Sequence, residues 1–176
     1  CVSHNGTDTV SATDCRRWFV RRNRVCEHAP EYRVVRQDES GLFVVANGAG
    51  QVVELDREAG EIVRRHPVGQ HPHGIDISDD GTQLYVAIKG DDKLAAIQLA
   101  TGVIRTLPLG PDPYHLATIS NTGKIYVSSR KHSTFRVVRQ RELSPLWCIP
   151  LTGIRHTLVS TRHAHAPRRL EPPFVS

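Results

Sequence analysis

Methionine is absent from the 176-residue chain, so no initiator stands at its start. The sequence therefore reads as a processed form or as a piece of something longer. Cys1 in first place suits either a lipid-modified bacterial lipoprotein or a fragment edge. No apolar run approaches the ~20 residues that a membrane-spanning helix needs, and no secretory leader is visible. Cysteine is scarce: Cys1, Cys15, Cys26 and Cys148 are the four, and they show neither a CxxC pair nor a Cys/His zinc spacing. Cys15 and Cys26 flank one expected strand; they either pair in an oxidising compartment or are small buried or free thiols. The signatures G-x-S-x-G, H-E-x-x-H and G-x-G-x-x-G are all missing, so no esterase, zinc-protease or dinucleotide-binding class can be read from a motif.

The net charge of +5 conceals a division. Residues 38–112 hold 6 Lys/Arg against 12 Asp/Glu, and the remainder holds 17 against 6. A basic end can meet an anionic surface or nucleic acid. Arg16, Arg17, Arg21, Arg22 and Arg24, however, lie on a strand-like segment without a nucleic-acid-binding motif, and they read as a solvated face.

What the chain does have is a repeat. From Gly69 to Gly110 it makes four short β-type runs: His73–Ser78, Leu84–Ile88, Leu94–Leu99 and Val103–Leu109. Turn signals divide them at Asp79-Asp80-Gly81, at Lys89-Gly90-Asp91-Asp92 and at Thr101-Gly102. The pattern predicts an antiparallel meander. Leu42-Phe43-Val44, Leu84-Tyr85-Val86 and Ile125-Tyr126-Val127 share a register whose aromatic positions lie 42 and then 41 residues apart. Pro30, Pro72 and Pro113 keep the same spacing. A period near forty with four short strands per copy predicts an all-β fold of propeller blades, each stacked on its neighbours because one blade cannot bury both faces alone.

Laid along the chain, the repeat predicts a partial blade over residues 1–29, blades over 32–68, 73–109 and 114–150, and an extra strand over 156–160. Residues 161–176 read as a disordered Pro- and Arg-rich tail. The sixteen expected strands either close a four-bladed ring, with 156–160 completing the first blade, or belong to a larger propeller; the second is the reading adopted. Trp18 and Trp147 fall on outer strands as expected packing residues.

The runs PHGIDISDDGTQLYVA and LAAIQLATGVIRTLPLG, with VSHNGTDTVSATD at residues 2–14, resemble the YVTN-type β-propeller repeat of YncE-like periplasmic proteins and surface-layer proteins. The resemblance covers residues 2–14 and 32–160, and departs at the Arg-rich first blade, around Lys131-His132-Ser133 and in the tail. It implies an exported propeller, periplasmic or on the cell surface, acting as a non-enzymatic binding or interaction scaffold. Relatives by fold include lactonases, quinoprotein amine dehydrogenase chains and haem d1 domains. The resemblance thus also admits a propeller enzyme or redox protein. Fold alone does not decide between these.

In a propeller, the loops entering each first strand and the turns leaving each second strand share one face. The first group carries His28, His71 with His73, His115 and His156. The second carries Asn5, Asn47, Asp91, Asp92, Lys131 and His132. The expected ligand-binding set is His71, His73, His115, Asp91 and Asp92, with no catalytic residue and no resident cofactor. Converging imidazoles would otherwise suit a haem or a divalent metal. The alternative is that Gly-x-x-Pro-His merely shapes a turn. His163 and His165 have H-x-H spacing in the tail. Asp79 and Asp80 read as a hairpin turn, and Asp76 as the outward position of an alternating strand.

Overall fold

The computed structural model describes residues 2–14, 19–25 and 28–152. Strand 156–160 with His156, the tail with His163 and His165, Trp18, and the Cys15–Cys26 pairing lie outside the described residues. The strands are β1 (Val2–His4), β2 (Thr9–Asp14), β3 (Phe19–Val25), β4 (Pro30–Val35), β5 (Gly41–Ala46), β6 (Gln51–Asp56), β7 (Ile62–Pro67) and β8 (Pro72–Ile77). They continue with β9 (Gln83–Ile88), β10 (Lys93–Gln98), β11 (Ile104–Pro108), β12 (Pro113–Ile119), β13 (Lys124–Ser129), β14 (Thr134–Arg139) and β15 (Ser144–Pro150). They form one three-stranded antiparallel sheet, β1–β3, and three four-stranded ones, β4–β7, β8–β11 and β12–β15, each in sequence order.

These sheets stack because their strands alternate in a particular way. Successive side chains point to opposite faces, and in the middle strands both faces are apolar. Leu84, Val86 and Ile88 pack with Phe43 and Val45 of the preceding sheet. Tyr85 and Ala87, between them in sequence, pack with Leu116 and Ile125 of the following one. Leu42, Val44 and Ala46 turn the other way, toward Val10. Along the inner edge β1 packs on β4, β4 on β8 and β8 on β12. Polar links reinforce the stack. The Asp76 carboxylate accepts the Thr118 N–H (2.8 Å) and hydroxyl (2.9 Å) from the next sheet. The buried Tyr85 hydroxyl donates to the Gln140 carbonyl at 3.2 Å.

Two details differ from the sequence reading. The inner strands begin earlier, at the recurring prolines, which pair with Ala46, Ile88 and Ser129. Proline is tolerated there because the first residue of a strand need not donate to the ladder. Trp147 is 56% exposed, because β15 is an outer edge, and Lys124 Nζ sits 4.8 Å from its ring centroid.

Each inner strand also breaks register at the same place, between Pro30 and Arg33, Pro72 and Ile75, and Pro113 and Leu116. A bulge of this kind re-aims the residues inside it. Gly74 occupies one such position: a Cβ there would lie 2.6 Å from the Tyr114 carbonyl oxygen and 2.8 Å from the Leu116 nitrogen. Those neighbours are backbone and cannot swing aside. Gly74→Ala is expected to cost about 1–3 kcal/mol by overpacking, a loss of roughly 3–10 °C in Tm. Gly6→Ala, with nothing within 4 Å of the added carbon, should change little. Thermal denaturation of the two variants checks the contrast.

Candidate functional site

The three bulges place six residues on the inner edge of the loop-bearing face: Glu31 and Tyr32, His73 and Gly74, Tyr114 and His115. The face itself is built by hydrogen bonds between entering loops and leaving turns. The Asn47 N–H donates to the Ala29 carbonyl (3.1 Å), Lys89 N–H to His71 (3.2 Å) and Arg130 N–H to Asp112 (3.1 Å). Ala29, His71 and Asp112, each preceding its proline, take left-handed φ values of 55°, 50° and 57°. The kink turns the chain inward just before the bulge.

Four of the bulge side chains form one aromatic cluster. The His73 ring centroid lies 3.8 Å from that of Tyr114, edge to face, 4.7 Å from Tyr32 and 5.1 Å from His115. Tyr32 and His115 are 4.9 Å apart, with the phenol oxygen 3.4 Å from Nε2. Edge-to-face packing sets the positive rim of one ring against the negative face of the next. His73, Tyr114 and His115 are buried.

Glu31 supplies the charge. Its Oε2 lies 3.3 Å from His73 Nδ1 and 3.4 Å from Asn47 Nδ2. Asn47 also donates to the Pro72 carbonyl at 2.9 Å, and its Oδ1 faces His71 Nδ1 at 3.3 Å. Burial pushes the Glu31 carboxyl above its ordinary range, against the pull of Lys89, the Asn47 amide and His71. The Tyr32 phenol is raised too, first by burial and then by Tyr114 and Glu31. Two cations flank the cluster: Lys89 Nζ is 5.8 Å and Arg130 Cζ 5.4 Å from the Tyr114 ring centroid.

The residues expected from the sequence divide accordingly. His73 and His115 meet in the cluster. His71 stays exposed at its edge and reaches it through Asn47. His28 is exposed and pairs with Asp8 at 3.5 Å, away from the others. Asp91 binds Lys93 Nζ at 2.8 Å. Asp92 accepts the Asp112 N–H at 2.8 Å, as Asp8 accepts that of Ala29. Both carboxylates therefore hold loops in place. Glu31, Tyr32 and Tyr114 were not singled out by sequence; the signal that finds them is their position one or two residues after the recurring proline. Among the described residues no three His, Cys, Asp or Glu side chains gather as a set that could hold a metal ion.

With this geometry in view, the class of the molecule follows: the stacked four-stranded meanders are β-propeller blades. Hydrazine synthase of Kuenenia stuttgartiensis is similar over 68% of this chain and 35% of its own, with a TM-score of 0.64 and 16% identity. U3-55K is similar over 69% of this chain and 39% of its own (TM-score 0.62, 20% identity). The WD40 repeats of RRP9 are similar over 69% and 38% (TM-score 0.61, 20% identity). The chain thus spans well under half the length of each, and the likeness establishes the fold alone. No family model and no curated protein matches the sequence.

A carboxyl raised by burial costs stability when ionised. The folded chain holds the Glu31 proton more tightly than the unfolded chain does. The stability that the protonated form contributes is therefore present below the ordinary value of 4.5 and is lost as pH rises through the higher folded value. Glu31→Gln removes the ionisation and keeps the shape. Its Tm is expected to exceed the wild-type value at pH 7 and to match it near pH 4, as checked by thermal melts across that range.

Proposed function

We propose that this chain is a β-propeller binding scaffold of the YVTN repeat type, non-enzymatic, which takes its partner across the loop face centred on Glu31, His73, Tyr114 and His115. The observation that carries this is the cost of the site. Three successive blades spend their bulge positions on a half-buried carboxylate and four packed polar rings, where apolar residues would stabilise the inner edge better. Proteins keep such groups where they are used. Lys89 and Arg130 flank the Tyr114 side of the cluster, with Lys131 next to Arg130, while Asp91 and Asp92 on the same face are held by Lys93 and the Asp112 N–H. The partner this flank favours is an acidic ligand or an acidic protein surface. The reading includes no resident cofactor. It places the protein in the periplasm or at the cell surface, as the repeat resemblance implies. No helix of the described residues is long and apolar enough to cross a membrane.

The rival reading is a propeller enzyme or redox protein, lactonase-like, quinoprotein-dehydrogenase-like or haem d1-like. It wants a metal or haem and a set of converging donors. Fluorescence anisotropy with a labelled Glu-rich peptide and a labelled Lys-rich peptide separates the two. The acidic peptide should bind preferentially. Lys89→Glu with Arg130→Glu should weaken it at least about tenfold, or ~1.4 kcal/mol. Arg57→Glu, a charge reversal on the opposite face, should leave it unchanged. Equal effects of the two variants, or turnover of a lactone by the purified protein, would remove the scaffold reading.

A further inference from the structure

The β12–β15 sheet departs from the apolar code of its neighbours at three places. Arg136 pairs opposite Val127, just as Ala95 pairs opposite Val86 and Val53 opposite Val44. Ala95 and Val53 are fully buried core residues. Ser129 stands opposite its inner-strand proline where Ile88 and Ala46 stand opposite theirs. Ser128, one residue earlier, takes the place of Ala87 and Val45, whose side chains face the following sheet, so Arg136 and Ser129 are the two departures that bear on the preceding one. The interface with the preceding sheet consequently does not close. It holds a cavity of about 270 Å³ beside the loop face, walled by Leu109 and Val127 and bearing Arg136, Ser128, Ser129 and His132.

Among the described residues the guanidinium is the one strong charge in that cavity, none of the lining residues is acidic, and Arg136 has no ion-pair partner. Gly110, with φ of +86°, lies so close that a Cβ on it would be 3.1 Å from Arg136 Nη2. The serine hydroxyls are already committed to the frame. Ser128 Oγ accepts the His115 N–H at 3.2 Å. Ser129 Oγ donates to the Pro111 carbonyl at 2.8 Å and accepts the His132 N–H at 3.2 Å. They brace the loop around the cavity and leave the arginine to meet whatever enters.

Arg136 is half-buried at the position its neighbours fill with core residues, and a partly desolvated cation without a counter-charge is a cost. A carboxylate offset against the planar fork, with two parallel N–H···O bonds, is the partner that geometry matches best. The volume is near the small end of ligand pockets, about 300–1,000 Å³, and the remaining walls are apolar. We propose that this cavity binds a small organic carboxylate, its carboxyl group on Arg136 and its apolar body against Leu109 and Val127. The proposal is independent of the partner read for the Glu31–His73 cluster, since it rests on other side chains.

The test uses the full chain with butyrate, inorganic phosphate and chloride as probes at matched ionic strength. Butyrate is expected to raise Tm saturably, phosphate less and chloride not at all. Arg136→Ala, which restores the residue found at position 95, should melt at or above the wild-type temperature without ligand and lose the butyrate response. Arg136→Lys should keep part of it. Backbone amide shifts of the wild type on titration should move in residues 109–113 and 128–136. A butyrate response that survives Arg136→Ala would overturn the proposal. So would one matched or exceeded by phosphate, or amide shifts confined to other parts of the chain.

Discussion

Each sheet in this molecule has two greasy sides, and that constraint governs everything else. Most antiparallel sheets can face water on one side. Here the middle strands carry apolar residues at odd and even positions alike, so a blade standing alone would expose a full face. Phe43 and Val45 need Leu84 and Val86, and Tyr85 needs Ile125. The stack is therefore cooperative between nearest neighbours. The exposed large apolar side chains, such as Val63, Val103 and Trp147, sit on or beside the outer strands, where the wedge is widest.

That constraint is why so much of the fold was legible in the sequence. A meander whose turns need Asp, Asn or Gly at fixed places, and whose strands need the same apolar code, prints a period on the chain. The Leu-aromatic-Val triplets and the three prolines carried it. Strand ends were less legible, because Pro30, Pro72 and Pro113 look like breakers and in fact open their strands. The candidate site was legible only in part. Histidine draws attention by its chemistry, so His71 ranked with His73 and His115, although only the last two share the cluster. Glu31 and Tyr114 occupy the same repeat position as His73, but a glutamate and a tyrosine do not look alike in a one-dimensional reading. Asp91 and Asp92 looked available, and the loops they tie down are visible only in three dimensions.

The polar departures from the code differ in kind. Asp76 is answered within the fold by Thr118. Glu31 is answered in part, by Asn47 and the imidazole of His73. Arg136 has no counter-charge among the described residues. The three form a series from structural need to unmet demand, and the unmet end of the series is where a ligand has something to offer.

The bulge after each proline has a consequence for how such a protein changes over generations. Ladder pairing skips the residues inside it, so their identity is hardly constrained by the strand beside them, except where, as at Gly74, the neighbouring backbone crowds in. Duplicating a blade thus copies a rigid frame together with a nearly blank pair of positions facing the centre. Glu-Tyr, His-Gly and Tyr-His are three fillings of that blank on one scaffold, and these positions can change by point substitution while the frame is inherited intact.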